Sequence, residues 1–135
     1  HRGLATGVRF VTGHARAGEQ LDLDWKSLAC DQTTLVFYMG LSNLPDISKN
    51  LIAQGLPAST PAAAISKGTV DGQRQCISTL AGLPKLVDDL TLPSPVLVIV
   101  GKVVGLADRL NWQGVIYEDA YSALEFPDEA LSAQA

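Results

Sequence analysis

The segment from residue 33 to residue 74 constrains the fold more than any other part of this 135-residue chain. It opens with a near-continuous apolar run of strand length, Thr33 to Met39, which is typical of a strand covered on both faces. A helical pattern follows, with Pro45 in its first turn and Gly55 just after its last turn. A short strand, Ala62 to Ser66, comes next. Two strands on either side of one helix predict a layered α/β fold.

Apolar periodicity along the rest of the chain predicts the remaining strands and helices. We expect strands at residues 8–14, 33–39, 62–66, 73–80 and 96–100, and helices at residues 23–29, 44–54, 83–90 and 103–112. The turn Val70-Asp71-Gly72 is placed to join the strands beside it as a hairpin. Ser42 or Asn43 is expected to cap the helix at 44–54. The order of elements predicts an α/β fold, with a mixed sheet of about five strands flanked by helices.

Charge divides the chain into two parts. Residues 113–135 hold five acids and no Lys or Arg, and we expect them to form a poorly defined acidic tail. Residues 1–112 hold nine acids and ten bases, and we expect them to form the single domain. Such a nearly neutral balance argues against a nucleic-acid partner, which requires a basic surface.

Hydropathy and cysteine usage predict a cytoplasmic protein. The longest apolar run, Pro95 to Val100, is far shorter than the about 20 residues of a membrane span, so we expect no membrane partner. Cys30 and Cys76 fit no metal-binding spacing and are expected to be reduced, mostly buried thiols. The chain opens with neither a signal peptide nor an initiator methionine, which suggests a piece of a longer protein.

Residues typical of catalysis are sparse. His14 stands beside a glycine at a strand end and is interpreted as a surface or loop-anchoring histidine. Asp88 and Asp89 are neighbours in a predicted helix, where their side chains point apart. The sequence contains no GxGxxG, Walker, HExxH or GxSxG motif. We therefore expect no catalytic residue and no metal ligand in this chain.

Two turns rich in small residues predict a binding site instead. Tyr38-Met39-Gly40 leaves the carboxyl end of a strand, which is where open α/β sheets place ligands, and Ile65 to Thr69 forms the second turn. Glycine and alanine let a ligand approach the main chain closely. Met39 could lie against a flat ring or be a core methionine at a strand end, and Ala62 to Ala64 could simply pack tightly. Together the turns predict one half of a binding cleft.

A family resemblance is carried by short segments in a fixed order along the chain. They are His1-Arg2-Gly3, Val11-Thr12-Gly13-His14, Tyr38-Met39-Gly40, Thr60-Pro61-Ala62-Ala63, Gly68-Thr69, Gln73-Arg74, Thr79-Leu80 and Val98-Ile99-Val100-Gly101. From His1 to about Trp112 the chain resembles the C-terminal half of the uroporphyrinogen-III C-methyltransferases, in the tetrapyrrole methylase family. The Gly-rich loop and the Gly-Gly-Asp-Pro loop of that family's N-terminal domain do not occur in this sequence.

The resemblance implies a methyl donor and a tetrapyrrole substrate. Such enzymes transfer methyl groups from S-adenosyl-methionine to C2 and C7 of uroporphyrinogen III, giving precorrin-2 and S-adenosyl-homocysteine, and they are homodimers. By this resemblance the donor-binding residues are Met39, Gly68, Tyr38, Ala63, Thr69, Pro95 and Val96. Because one wall of a two-domain cleft cannot position both reactants, we expect the chain alone to be inactive and to bind the donor weakly.

Two alternatives stay open at the level of sequence. The first is another methyltransferase of the same family, acting on a later tetrapyrrole or corrinoid precursor. The second is a non-catalytic fragment that dimerises through the apolar face left by a missing partner domain.

Overall fold

The computed structural model describes residues 1–110 and 115–118, which form six strands and four α-helices. The strands are β1 Gly7–Thr12, β2 Thr33–Tyr38, β3 Pro61–Ser66, β4 Arg74–Thr79, β5 Val96–Val100 and β6 Val115–Glu118. The α-helices are α1 Trp25–Leu28, α2 Leu44–Ala53, α3 Leu83–Leu90 and α4 Ala107–Leu110, the last preceded by a 3-10 helix at Lys102–Leu106.

The strands form one mixed sheet in the order β1-β2-β5-β3-β4-β6. The pairs β1–β2 and β4–β6 are parallel, whereas β2–β5, β5–β3 and β3–β4 are antiparallel. The predicted mixed α/β sheet is confirmed, and the hairpin of β3 and β4 with it. Strand β6 adds to the five predicted strands and lies in the segment that we expected to be an acidic tail. The rest of that tail lies outside the described residues, and the domain boundary at residue 112 stays a prediction.

One face of the sheet carries the main core. Strand residues such as Phe37, Ala64 and Val98 are fully buried there against the apolar stripes of α2 and α3. Ile47 and Leu51 of α2 are likewise fully buried, as the helical spacing predicts.

Helix α2 is fixed at both ends, but differently at each. Asn43 occupies the expected cap position but its side chain makes no capping hydrogen bond; its Nδ2 atom donates to the carbonyl oxygen of Gly13 at 2.7 Å. At the other end Gly55 adopts a φ of 104°, and the N–H of Leu56 reaches back to the carbonyl oxygen of Leu51 at 3.1 Å. This Schellman arrangement confirms the predicted stop at Gly55.

The opposite face of the sheet is covered over β3 and β4 by the 3-10 helix, where Ala63, Ile77 and Val104 form a second small core. The helix predicted at 103–112 is therefore partly wrong: its first half has 3-10 geometry, and residues 111 and 112 lie outside the described residues. Val103, Val104 and Gly105 are weak α-helix formers, which accounts for the difference.

The cysteines are free thiols, as expected, but only Cys76 is buried; Cys30 is exposed, and the expectation of burial was wrong for it. Within residues 1–110 and 115–118, no helix combines the length and hydrophobicity needed to cross a bilayer. The same residues contain no group of three or more His, Cys, Asp or Glu side chains arranged to hold a metal ion.

Candidate functional site

A cavity of about 590 Å³ opens at the end of the sheet where β2 and β3 finish and β4 and β5 begin. It is lined by Tyr38, Ala63, Ile65, Gly68, Thr69, Gln73, Gln75, Pro95, Val96, Leu97, Ile99, Val103, Val104, Leu106, Ala107 and Leu110. Cavities of a few hundred Å³ suit small-molecule ligands, and this one lies at a carboxyl end of sheet strands, as the turn pattern predicts.

The structure brings six of the seven predicted donor-binding residues to this cavity. These are Tyr38, Ala63, Gly68, Thr69, Pro95 and Val96. Met39 is not among the lining residues; its side chain is 60% exposed and its φ is 53°. The alternative that Met39 is a core methionine is therefore wrong. Contact of these seven residues with a methyl donor stays a prediction.

The walls of the cavity contain residues that the sequence did not single out. Leu97 and Ile99 of β5 present apolar side chains on the same face of the sheet as Ala63, and so does Ile65 of β3, which the sequence placed only at the start of the second turn. Their period of two was the available signal, since alternate strand residues share a face. The 3-10 helix and α4 form the opposite wall. Their position over β3 depends on the order of strands in the sheet, which the sequence pattern does not give.

The loop between β3 and β4 forms the rim of the cavity and has an unusual backbone. Lys67 and Thr69 have φ values of 49° and 69°, a region that L-residues rarely adopt and that β-branched residues avoid. Such a conformation costs about 1–3 kcal/mol and persists only where its surroundings hold it in place. The strain lies on both sides of Gly68 rather than on the glycine itself.

Hydrogen bonds tie this rim loop to the strands beside it. The N–H of Thr69 donates to Oε1 of Gln73 at 2.6 Å. The N–H of Lys67 donates to the carbonyl oxygen of Pro95 at 3.1 Å, and the hydroxyl of Ser66 donates to the carbonyl oxygen of Pro93. The loop is thereby tied to the start of β4 and to the segment that enters β5.

Glycine at position 68 is required neither by the backbone nor by packing. A Cβ atom there would lie 3.4 Å from Cγ2 of Ile65, an ordinary contact, and its φ is outside the left-handed region. The close approach of a ligand to this glycine, expected from the sequence, stays a prediction.

The other small residues divide between packing and the cavity. Gly40 is buried, and a Cβ atom on it would meet Phe37 and Ile47 at 3.1 and 3.3 Å, so packing alone explains this glycine. Ala62 and Ala64 face the main core, which bears out tight packing for them, whereas Ala63 lines the cavity.

The cavity carries no formal charge on its described lining residues, and its polar side chains are Tyr38, Thr69, Gln73 and Gln75. Burial in the main core raises the pKa of the Cys76 thiol, and two other shifted groups lie at the opposite end of the sheet. There the Lys102 ammonium, 2.9 Å from Oδ2 of Asp31, lowers the pKa of that carboxyl. A hydrogen bond with the Thr33 side chain lowers the pKa of the Cys30 thiol. The cavity is thus suited to binding through amides, main-chain groups and apolar contact rather than to acid–base catalysis.

Known proteins similar to this chain agree with a binding site for a small molecule. No protein-family model matches the chain. It is 50% identical over 120 residues to the siroheme synthase of Pseudomonas aeruginosa, covering 89% of this chain and 26% of that protein. The uroporphyrin-III C-methyltransferase of Thermus thermophilus, solved in complex with S-adenosyl homocysteine, superposes with a TM-score of 0.65 at 27% identity, covering 78% of this chain and 46% of that one.

This chain has the tetrapyrrole methylase fold. The predicted resemblance to the uroporphyrinogen-III C-methyltransferases is confirmed. A cobalt precorrin-4 methyltransferase of cobalamin biosynthesis also superposes, with a TM-score of 0.65 over 75% of this chain and 42% of its own. At 16% identity it supports the fold alone. The chain spans about a quarter of the length of the curated siroheme synthases that it matches.

Proposed function

We propose that this chain is the donor-binding part of an S-adenosyl-methionine-dependent uroporphyrinogen-III C-methyltransferase, which methylates C2 and C7 and makes precorrin-2. The observation that carries the proposal is the cavity of about 590 Å³, where six of the seven residues implied by the family resemblance meet. Support also comes from the Thermus thermophilus enzyme, which shares this fold and was solved with S-adenosyl homocysteine. Tyr38, Ala63, Gly68, Thr69, Pro95 and Val96 would hold the donor, with Met39 at the edge of the site.

The residues of the cavity fit such a donor. Ile65, Leu97 and Ile99 offer an apolar surface for a flat base, while Gln73 and Gln75 bring amides to the same space. Gly68 leaves room for close approach to the main chain. When bound, the donor supplies an electrophilic methyl group on its sulfonium, and the role of this chain is to bind and orient it.

The proposal includes a limit on what the chain does by itself. Methyl transfer depends on holding two reactants in line, which one side of a cleft does not accomplish. We therefore propose that the 135-residue chain has no methyltransferase activity, and that a longer, cytoplasmic and homodimeric protein acts on uroporphyrinogen III. Turnover of uroporphyrinogen III by the chain alone would contradict this part of the proposal.

An NMR titration of the chain with S-adenosyl-homocysteine tests the site directly. We expect saturable shifts of the backbone amides of Ile65, Gly68 and Leu97. Replacing Gly68 by Ala should weaken binding about tenfold without changing the melting temperature, because the new Cβ atom occupies space at the rim while lying at an ordinary 3.4 Å from Cγ2 of Ile65. Gly7→Ala is the matched control, since a Cβ atom there meets nothing within 4 Å. No shifts up to about 5 mM ligand, which corresponds to very weak binding, would contradict the proposal.

A second candidate function, a non-catalytic dimerising fragment, is favoured by one surface. Phe10 and Tyr38 are 69% and 51% exposed, and their ring centroids lie 6.2 Å apart on the face of the sheet that the 3-10 helix leaves open. Exposed aromatic pairs promote association. Light scattering with a ligand titration separates the two: a monomer that binds S-adenosyl-homocysteine supports the half-site, and a tight dimer without binding supports the fragment.

A further inference from the structure

Gln73 lies where the rim loop re-enters the sheet, immediately before β4. Its side chain lines the cavity, yet the residue is only 9% exposed. Within the loop, its Oε1 atom accepts the hydrogen bond from the N–H of Thr69 at 2.6 Å, across a span of four residues. A buried glutamine with this contact does more than fill space, because its amide oxygen is aimed at the backbone of the rim.

The backbone segment that Gln73 contacts, Lys67 to Thr69, has an unfavourable conformation. Lys67 and Thr69 adopt positive φ values on either side of Gly68, and glycine is the conformationally most permissive residue type. Two backbone hydrogen bonds inside the loop are longer: Val70 N–H to the Lys67 carbonyl oxygen is 3.4 Å and Gln73 N–H to the Val70 carbonyl oxygen is 3.2 Å. The 2.6 Å bond to the Gln73 side chain is shorter than both.

We propose that Gln73 is a positioning residue for the donor site. By accepting from the N–H of Thr69, its Oε1 atom fixes the orientation of the Gly68-Thr69 peptide that forms the rim. This inference rests on the proposed function, since it assumes that the rim contacts S-adenosyl-methionine. It follows that the N–H of Thr69 is committed to Gln73, and the rim recognises its ligand through the main chain at Gly68 and the hydroxyl of Thr69.

Three variants of the 135-residue chain test the proposal. Gln73→Leu removes the acceptor, Gln73→Glu keeps an acceptor oxygen at the same distance along the side chain, and Gln54→Leu makes the same change at an exposed helix end. Two quantities are measured by NMR: the exchange rate of the Thr69 amide, and the dissociation constant for S-adenosyl-homocysteine. A melting curve for each variant shows whether it is folded.

In Gln73→Leu we expect Thr69 amide exchange to quicken and the dissociation constant to rise, each by about tenfold, the effect of one lost hydrogen bond. Gln73→Glu should restore both quantities to within about twofold, and Gln54→Leu should leave both unchanged. A purely structural role for Gln73 would lower the melting temperature of both Gln73 variants without separating their affinities.

The remaining outcomes overturn one idea or both. If the parent chain binds the ligand and Gln73→Leu binds equally well, the positioning role is wrong while the proposed function stands. If Gln73→Glu keeps the slow exchange of the Thr69 amide and yet binds as poorly as Gln73→Leu, the hydrogen bond to Thr69 does not set the affinity, and the inference is again wrong. If the parent chain shows no binding, the proposed function fails and takes the inference with it.

Discussion

A Cβ atom on Gly13 would lie 2.5 Å from the Cα atom of Gly40, closer than real Cβ atoms approach any backbone atom. The two glycines follow the parallel strands β1 and β2, so the chain leaves both strands in direct backbone contact. Replacing Gly13 by Ala would push the backbone at Gly13 away from the backbone at Gly40 and should destabilise the protein by about 1–3 kcal/mol. Urea unfolding, followed by circular dichroism, measures this loss.

Gly7→Ala is the control for that prediction. Gly7 starts the same strand, has no atom within 4 Å of a built Cβ and has an ordinary φ. Its replacement should change the free energy of unfolding by no more than about 0.5 kcal/mol. Equal losses in the two variants would mean that β1 tolerates alanine poorly for reasons other than the contact with Gly40.

Two buried serines should respond oppositely to replacement by alanine. The hydroxyl of Ser48 on α2 donates to the carbonyl oxygen of Leu80 at 2.6 Å, so Ser48→Ala leaves a buried acceptor and should cost about 1–2 kcal/mol. The hydroxyl of Ser78 on β4 is fully buried and has no hydrogen-bond partner among the described residues. Ser78→Ala should therefore stabilise the protein by about 1 kcal/mol. Chemical denaturation of both variants checks the two signs, and a loss of stability in Ser78→Ala would contradict the burial of an unpaired hydroxyl.

The rim loop offers a test of backbone strain. Asparagine tolerates positive φ better than a β-branched residue does, so Thr69→Asn should raise the free energy of unfolding by about 1 kcal/mol. Val70→Asn, at an exposed neighbour with an ordinary φ, should change it by less than about 0.5 kcal/mol. If both substitutions have the same effect in a thermal melt, the loop is not strained at Thr69.

The two thiols should differ in reactivity. Hydrogen bonds from the Thr33 side chain and the Gln32 backbone hold the pKa of Cys30 below 9.0, whereas burial raises the pKa of Cys76 above that value. Because the thiolate is the reactive form, at about pH 8 iodoacetamide should label Cys30 first and leave Cys76 unmodified until the protein unfolds.

Thr33→Val supplies the matched test of the cause. It removes the hydroxyl next to Cys30, so the pKa of that thiol should rise and its labelling at about pH 8 should slow. The rate of labelling increases with pH through the pKa, and the curve of the variant should therefore be displaced to higher pH. Mass spectrometry of quenched samples gives both rates; identical pH curves would rule out Thr33 as the cause.

Local patterns predicted the elements with clear boundaries. Helix α3 was expected at residues 83–90 and β5 at 96–100, and both lie at those positions. Prolines at the start of α3 and before β5 set these limits, because proline favours a first helical turn and is poorly tolerated inside a strand. The turns at Tyr38 and Gly68 could also be placed at one end of the sheet, because each of them directly follows a predicted strand.

Features that depend on tertiary contact were not predictable. The side chain of Asn43 has the chemistry of a helix cap, but the nearby carbonyl of Gly13 binds it instead. Met39 has an apolar, flexible side chain that suits either a core or a ligand site, and only the structure shows that it is 60% exposed. Strand β6 pairs with β4 from a segment whose acids suggested no strand. For Asn43 and for β6, a partner distant in sequence decides the outcome.

The place of β5 in the sheet has a consequence for synthesis of the protein. Val96–Val100 pairs with β2 on one side and β3 on the other, so it alone joins the halves β1-β2 and β3-β4-β6. Ribosomes add about 5–20 residues per second, and β5 emerges about 3 to 12 seconds after the end of β2. Throughout that interval the inner edge of β2 lacks its partner on the nascent chain, and the inner edge of β3 lacks it from the time that β3 emerges. Unpaired strand edges of this kind are prone to association with other chains until β5 pairs with them.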